Sequence, residues 1–245
     1  MPLRKSETTG TLKHSNFIMQ KVVIGLSGGM DSATLLGILL GQGLEVHCCS
    51  FYYGSKHNKY ENRASEDLID FYSFKNFPVV SHPIDVSSIF KEFSSNLLLS
   101  GEEIPEGNYT DESMKLTVVP GRNLIFASIM AGLAESIGAK KIALGVHSGD
   151  HAIYPDCRPA FIEMLNRTIL LSSEEKVSLI TPFLRDTKAG ILYKGLYGIS
   201  PKVPYELTRT CYKDQEYACG KCGSCRERLE AFAIHGMKDL IKYEE

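Results

Sequence analysis

A short strand that runs straight into a glycine-rich turn and a helix constrains this fold more than any other feature of the chain. Residues 21–26 (KVVIGL) are apolar and largely β-branched, which predicts a buried strand. The turn 27–32 (SGGMDS) follows, and residues 32–42 then carry leucines at helical spacing. A strand, a tight turn and a helix in this order are typical of the repeating unit of an α/β fold.

The same alternation continues along the chain. Further strands are predicted at residues 44–51, 77–84, 141–146 and 177–181, and further helices at residues 58–74, 123–136, 159–171 and 188–197. Such alternation predicts an α/β fold with a parallel sheet of about five strands and helices on both faces. Residues 94–116 lack periodicity, and a loop of that length is expected to be functional or mobile, for example as a lid.

Composition and charge exclude several classes of protein. The chain is 43% hydrophobic and 23% charged, which is ordinary for a globular protein. A net charge of -2 does not indicate a nucleic-acid-binding surface. The sequence contains no apolar run of about 18 residues, so no membrane span is predicted. The polar leader 1–20 does not resemble a signal peptide and is expected to be mobile. Seven cysteines in such a chain indicate a reducing compartment, the cytoplasm.

The turn 27–32 has the chemistry of an anion site. Gly28 and Gly29 can adopt positive φ and let a ligand approach the backbone. The free N–H groups of the turn and of the first helical turn then point at an anion, aided by the helix dipole. Ser27 and Ser32 add hydroxyl donors, whereas Asp31 is predicted to orient loop amides or to help hold Mg²⁺. A plain strand–turn–helix corner is the alternative.

The pattern SGGxDS resembles the pyrophosphate-binding loop of the PP-loop ATP pyrophosphatases. That superfamily includes GMP synthetase, NAD synthetase, argininosuccinate synthase and tRNA-thiolating enzymes. The resemblance implies cleavage of ATP between its α and β phosphates, adenylation of an oxygen, and displacement of AMP by nitrogen or sulfur. The loop residues that it assigns to ATP are Leu26, Ser27, Gly28, Gly29, Met30, Asp31, Ser32 and Ala33.

Four cysteines close to the C-terminus have the spacing of a metal site. Cys211, Cys219, Cys222 and Cys225 form C-x7-C-x2-C-x2-C. Four thiolates suit a closed tetrahedral zinc ion, which would be structural because no coordination position stays open. An iron–sulfur cluster and a redox-active dithiol are the alternatives. We expect one Zn²⁺ per chain and loss of local structure when it is removed.

Several further segments resemble the 7-cyano-7-deazaguanine synthase (QueC) family. They span nearly the whole chain apart from its two ends, and YPDCRP and the cysteine run are the most discriminating. The segments are 53–57 (YGSKH), 119–123 (VPGRN), 145–147 (GVH) with Asp150, 154–159 (YPDCRP), 181–182 (TP) with 187–188 (TK), and the CGxCxxCxxR run that begins at Cys219.

The resemblance implies a homodimer that converts 7-carboxy-7-deazaguanine, ammonia and ATP into the nitrile, a precursor of queuosine in tRNA. The sequence changes character beyond Gly198, where Pro201 and Pro204 introduce the cysteine-rich segment. This change predicts an ATP-binding domain over residues 21–200 and a zinc-binding segment with a helix over residues 201–245. No membrane and no direct nucleic-acid partner are expected. A tRNA-thiolating enzyme and a non-enzymatic nucleotide-binding module remain the alternatives from other classes.

Three residues are candidates for contact with ATP outside the loop. Lys188 opens a helix after the last predicted strand and is the first choice for a phosphate contact, with a solvated surface lysine as the alternative. Arg122 and Asn123 open a helix after Gly121 and are predicted to reach ATP or the base, or to cap the helix. Asp31, Lys188 and Arg122 are therefore the predicted catalytic residues.

The substrate residues are predicted from the resemblance and from charge. Asp150 and Asp156 are candidates for the exocyclic amine and ring N–H of a deazapurine, with capping roles as the alternative. Arg158 is predicted to meet the substrate carboxylate, or to form a structural ion pair. Tyr53 and Tyr154 complete the predicted substrate site together with His57. For His57, a hydrogen-bonded structural role is the alternative.

The chain departs from the family pattern at two places. The family's Tyr-Gly-Gln-Arg-His is Tyr-Gly-Ser-Lys-His here, so Lys56 keeps the charge but loses the bidentate fork of arginine. The usual Ser-Gly before Tyr-Pro-Asp-Cys is Ala152-Ile153. These departures leave open a branch that forms an amide from the deazaguanine acid, for instance on a protein amine.

Overall fold

Five parallel strands form one sheet in the computed structural model, which describes residues 19–106 and 112–244. The strands are β1 (Lys21–Gly25), β2 (Glu45–Tyr52), β3 (Val79–Asp85), β4 (Lys141–Ala143) and β5 (Ser178–Ile180), in the order β3-β2-β1-β4-β5. Every neighbouring pair is parallel. The predicted sheet is confirmed. The expectations of a mobile leader and of a lid fall wholly or partly on residues 1–18 and 107–111, outside the described residues.

Seven α-helices connect or flank these strands within the described residues. They are α1 (Met30–Gly41), α2 (Asn58–Phe74), α3 (Ser87–Phe90), α4 (Arg122–Ile137), α5 (Pro159–Ser172), α6 (Lys188–Tyr197) and α7 (Gly223–Ile234). The fourth strand is three residues shorter than predicted, because its ladder pairs with both neighbours only over Lys141–Ala143. The chain is then free to turn beside the first helix.

The alternation of β1 divides the core into two layers. Val22 and Ile24 pack on one face with apolar side chains of α1, α2, α6 and α7. Val23 points to the other face and packs with α4 and α5. Each of these three side chains is no more than 1% exposed. Because a strand presents successive side chains to opposite faces, helices on both sides are needed to cover the sheet, as predicted.

The C-terminal segment shares this core. Phe232 of α7 is buried in the same cluster as α1. Tyr205 forms a 2.7 Å hydroxyl–hydroxyl hydrogen bond with Thr34 of that helix. The segment therefore packs directly on the part of the chain that forms the sheet, and the domain boundary at residue 200 stays a prediction.

One stretch, Glu112–Ile137, is long and apolar enough to cross a membrane by composition alone. In the structure it consists of a 3-10 helix over Glu112–Thr117, a turn, and α4. Gly121 has φ +63° at that turn, and Ala127, Met130 and Ala134 of α4 are buried in the core. This stretch is therefore a bent connection followed by a helix that packs one face against the core.

Candidate active site

The candidate site lies at the carboxyl ends of β1, β2 and β4. Within the sheet, β2 is the neighbour of β1 on one side and β4 is its neighbour on the other side. In open α/β sheets, ligands bind at such a reversal of strand order. A cavity opens there, and it is lined by residues of the 27–32 loop, by Tyr53 and Arg122, and by Lys188 and Arg209.

The two serines of the loop hold its shape. The Ser27 backbone N–H donates to the Ser32 hydroxyl at 3.3 Å, and the two hydroxyl oxygens lie 3.1 Å apart. The Ser27 hydroxyl also accepts from the Gly29 N–H at 3.3 Å. These bonds close the turn on itself before any ligand binds, so the loop is preorganised.

The amino-terminal end of α1 is open towards the cavity. Gly29 is the residue that precedes the helix, and no side chain caps it. An α-helix leaves its first N–H groups without internal partners, and the helix dipole favours negative charge at that end. Gly29, Asp31 and Ser32 line the cavity, whereas Met30 and Ala33 are buried in the core beneath it. The geometry therefore suits a phosphate group.

Gly28 is required by both conformation and space. Its φ is +75°, in the left-handed region that glycine tolerates. A Cβ there would lie 2.7 Å from the Glu61 carbonyl oxygen and 2.8 Å from the Ala64 Cβ. The loop therefore packs against α2 at a distance that no side chain permits.

Lys188 lies at the centre of a buried charge cluster. Its Nζ is 3.1 Å from the Asp31 Oδ2 and 2.8 Å from the Glu227 Oε2, and its side chain is only 6% exposed. Burial would lower the pKa of Lys188, but the carboxylates of Asp31 and Glu227 raise it above its ordinary value. The ammonium thus stays charged beside the loop, and Lys188 is not a solvated surface residue.

His147 faces the same carboxylates. Its Nε2 lies 3.6 Å from the Asp150 Oδ1, 3.7 Å from the Asp31 Oδ2 and 3.8 Å from the Glu227 Oε1. The Gly149 N–H donates to its Nδ1 at 3.1 Å, so the proton of the neutral ring is on Nε2. This N–H points at the carboxylates and has no hydrogen-bond partner among the described residues.

Another part of the cavity wall is aromatic. The Arg122 guanidinium lies 5.9 Å from the centre of the Tyr53 ring and 5.8 Å from that of Tyr154. The hydroxyls of Tyr154 and Tyr212 are 3.3 Å apart, and the Tyr212 ring is 5.6 Å from that of His57. Flat rings beside a guanidinium suit the stacking of a planar base.

The four cysteine side chains lie close together, as predicted. Their sulfur atoms lie within 4.8 Å of one another, and all four side chains are buried. Backbone N–H groups donate to the sulfur of Cys211 from Lys213 at 3.4 Å and from Cys219 at 3.3 Å. The sulfur of Cys219 accepts from the Lys221 and Cys222 N–H groups in the same way. Such donors stabilise thiolates, so the cluster could hold a metal ion.

The comparisons with known proteins decide the family. The family model for the queuosine biosynthesis protein QueC matches residues 21–236. The chain belongs to the QueC family. A protein from Pseudoalteromonas atlantica named 7-cyano-7-deazaguanine synthase is 46% identical over 227 residues, which cover 93% of this chain and all of that relative. A protein of the same name from Caldicellulosiruptor saccharolyticus is 45% identical over 91% of this chain and 96% of its own length.

Solved structures also resemble the chain. The U34-tRNA thiolase NcsA from Methanococcus maripaludis, with its 4Fe-4S cluster, aligns at a TM-score of 0.45 and 16% identity. The alignment covers 79% of this chain and 62% of that one.

The QueC-family segments predicted to bind substrate occupy different places. Asp150 and Tyr154 line the cavity, and so do Tyr53 and His57. The Asp150 carboxylate also accepts from the backbone N–H of His147 at 3.1 Å, which is a capping contact.

Asp156 and Arg158 do not form part of the cavity wall. The Asp156 carboxylate accepts the Asn123 N–H at 2.9 Å and so caps α4. Arg158 is exposed, and its Nε donates to the His151 carbonyl at 2.9 Å. Asp156 therefore has the capping role that was its alternative. The substrate contacts predicted for Asp156 and Arg158 stay predictions.

Sequence analysis missed three residues of the C-terminal segment that bear on the site. Arg209 and Tyr212 line the cavity, and Glu227 contacts Lys188. The Arg209 N–H donates to the Gly28 carbonyl at 2.8 Å, which ties this segment to the loop. Tyr212 adjoins a cysteine of the predicted site, but neither Glu227 nor Arg209 belongs to a pattern that marks it.

Proposed function

We propose that the protein converts 7-carboxy-7-deazaguanine and ammonia into 7-cyano-7-deazaguanine at the expense of ATP. Its membership of the QueC family, with relatives of that name at 41–46% identity over nearly the whole chain, carries the proposal. The open phosphate loop beside a buried lysine supports it, because both are suited to ATP.

The reaction passes through two adenylations. A carboxylate oxygen attacks the α-phosphate of ATP and releases pyrophosphate, and ammonia then displaces AMP to give the amide with loss of a proton. The amide oxygen attacks a second ATP and again releases pyrophosphate. Loss of AMP and of both N–H protons from that adduct leaves the nitrile. Both rounds are attacks of an oxygen on the same phosphorus position, so one site serves both.

The chain's main contribution is position and charge. The 27–32 loop and the start of α1 hold the pyrophosphate portion through N–H groups, and Lys188 neutralises phosphate charge. Asp31 would help to hold the Mg²⁺ that accompanies ATP, and this ion when bound would neutralise the remaining charge. Its fit is supported by Asp31, whose Oδ1 is buried without a hydrogen-bond partner among the described residues. Orientation of this kind is worth effective molarities of about 10⁵ M or more.

The deazapurine is proposed to lie against the aromatic wall. Tyr53, Tyr154 and Arg122 offer flat surfaces and a cation, and Asp150 offers a carboxylate for an amine or ring N–H. Lys56 lies elsewhere, because its Nζ donates to the Gly101 and Glu102 carbonyl oxygens. The departure from the family pattern at this residue therefore affects a loop contact and not the cavity wall.

The cysteine cluster is proposed to hold one structural Zn²⁺. Four sulfur atoms within 4.8 Å of one another, all buried, match a closed tetrahedral site. Bound zinc would hold the parts of this segment together and would take no part in the reaction. Reduced thiols are needed for this site, which supports a cytoplasmic location. We also propose a homodimer without a direct nucleic-acid partner, which sedimentation of the purified protein with and without tRNA tests.

Product analysis tests the proposed function. Purified protein is incubated with 7-carboxy-7-deazaguanine, ATP, Mg²⁺ and ammonium, and the products are separated by mass spectrometry. We expect the nitrile and two AMP for each acid consumed. Amide with one AMP would favour the amide-forming branch, and absence of both AMP and product would reject the proposal.

A further inference from the structure

Glu227 connects the cysteine cluster to the ATP cavity. Helix α7 follows directly on Cys222, and Cys225 lies in its first turn. Glu227 is two residues further on, and its Oε2 lies 2.8 Å from the Lys188 Nζ. Since a helix turns 100° per residue, a carboxylate at this position points away from the cysteine sulfurs and towards α6.

Two of the carboxylates near Lys188 form ion pairs with it in the described residues, one in the loop and one outside it. Asp31 belongs to the loop that is proposed to receive Mg²⁺ and pyrophosphate, so its carboxylate is expected to reorient when they bind. Glu227 stands on a separate helix and contacts the same ammonium. Its side chain is 15% exposed, where a charge pair is stronger than in open solvent. Glu227 can therefore hold the ammonium while Asp31 engages the cation.

The surroundings leave room for this carboxylate and orient it. A Cβ at Gly149 would lie 2.5 Å from the Glu227 Oε1, so only glycine lets the carboxylate reach its position. The His147 Nε2, which carries a proton, is 3.8 Å from the same oxygen. One oxygen of Glu227 thus faces His147 and the other faces Lys188.

We propose that Glu227 is a positioning residue that holds the Lys188 ammonium at the phosphate site. The helix that begins in the cysteine cluster then supplies part of the ATP-binding machinery. The inference rests on the proposed function in one respect, since it takes Lys188 as a phosphate contact.

A double-mutant cycle on ATP affinity tests this role. Glu227→Gln keeps the shape of the side chain and removes its charge, and Lys188→Gln removes the ammonium. Calorimetry with Mg²⁺ and a non-hydrolysable ATP analogue gives the affinity of each variant and of the double variant. We expect E227Q to weaken binding about fivefold or more in the wild-type background. In the K188Q background it should have no effect, or tighten binding by removing a carboxylate from beside the phosphates.

The control variant lies on the same helix. Glu230 is exposed, and E230Q should leave ATP affinity, metal content and Tm unchanged. If E227Q does not fold, Glu227→Asp takes its place, because it keeps the charge and draws it back by about one bond length. Equal losses in both Lys188 backgrounds, or no loss in the wild-type background, would overturn the role. Because this measurement needs no deazaguanine acid, its failure is distinguishable from failure of the proposed function.

Discussion

At the residue scale, the site depends on one residue packed against the backbone of a neighbouring helix and on one cation buried beside carboxylates. Gly28 lets the phosphate loop contact α2, and Lys188 stays charged between two carboxylates. Neither residue could be exchanged for one of similar size or polarity without a change in the geometry around it. Substitution of Gly28, compared with that of Gly43, separates the effect of conformation from that of contact.

We expect Gly28→Ala to abolish ATP binding and to destabilise the protein by more than a strained φ alone. A left-handed φ costs alanine about 1–2 kcal/mol, and the contact with the Glu61 carbonyl adds an overpacking cost of about 1–3 kcal/mol. Urea denaturation and calorimetry with ATP measure the two effects.

Gly43→Ala is the matched control for that substitution. Gly43 has φ +76°, but nothing lies within 4 Å of a Cβ at that position. G43A should therefore carry only the conformational cost and retain ATP affinity. Similar losses of stability and binding in the two variants would contradict a role for close packing between the loop and α2.

At the element scale, the C-terminal segment completes the cavity. Arg209 ties the segment to the loop, and Tyr212 adds to the aromatic wall. A fully buried ion pair holds the segment together, since the Arg228 Nε is 2.7 Å from the Asp239 Oδ2 and its Nη2 is 2.9 Å from the Oδ1. The segment thus has two fixed points, the cysteine cluster and this pair.

Loss of the metal should release the wall of the cavity. Cys222→Ser is expected to reduce the zinc content, measured by mass spectrometry of metals, from about one per chain towards zero. Hydrogen exchange should then accelerate over residues 208–228, and ATP affinity should fall because Arg209 no longer anchors the loop. Cys48→Ala, at a buried cysteine of the core, should keep the metal. A fully metallated Cys222→Ser protein would argue against the cluster.

Removal of the buried carboxylate tests the second fixed point. Asp239→Asn leaves Arg228 buried without its charge partner, which is expected to cost about 3–5 kcal/mol. Urea denaturation at neutral pH measures this loss. Asp214→Asn, at an exposed position in the same segment, should be neutral within about 0.5 kcal/mol.

The same pair predicts a dependence on pH. Burial would raise the pKa of Asp239, but the hydrogen bond and charge of Arg228 lower it below its usual 3.8. Stabilisation by this carboxylate is thus fully present above pH 3.8 and is lost as the pH falls through the lower pKa of the folded state. The difference in stability between wild type and D239N should be constant from pH 5 to 7 and shrink below about pH 4. A difference that grows on acidification would contradict this assignment.

Elements encoded by short stretches of sequence were predictable, and contacts between distant stretches were not. The strand, loop and helix over residues 21–42 and the cysteine spacing are local patterns, and the structure has both. The position of Glu227 depends on how α7 packs against α6, which no local pattern encodes. The predicted contacts of Asp156 and Arg158 rested on resemblance and on charge, and neither residue is part of the cavity wall in the structure.

At the scale of the whole molecule, a parallel sheet and a C-terminal segment enclose one cavity at the reversal of strand order. The sheet supplies the phosphate loop and Lys188, and the segment supplies Glu227 and Tyr212. One cavity with one phosphate loop explains how two successive adenylations can occur without a second site. The central claim is therefore that both oxygens of the substrate acid leave on AMP.

Oxygen labelling tests that claim most directly. The acid is prepared with ¹⁸O at both carboxyl positions and converted by the protein with ammonium, ATP and Mg²⁺ in unlabelled water. Mass spectrometry should find the nitrile together with two AMP molecules that each carry one ¹⁸O. A nitrile formed with unlabelled AMP, or with label in pyrophosphate or ADP, would contradict adenylation of the acid and of the amide.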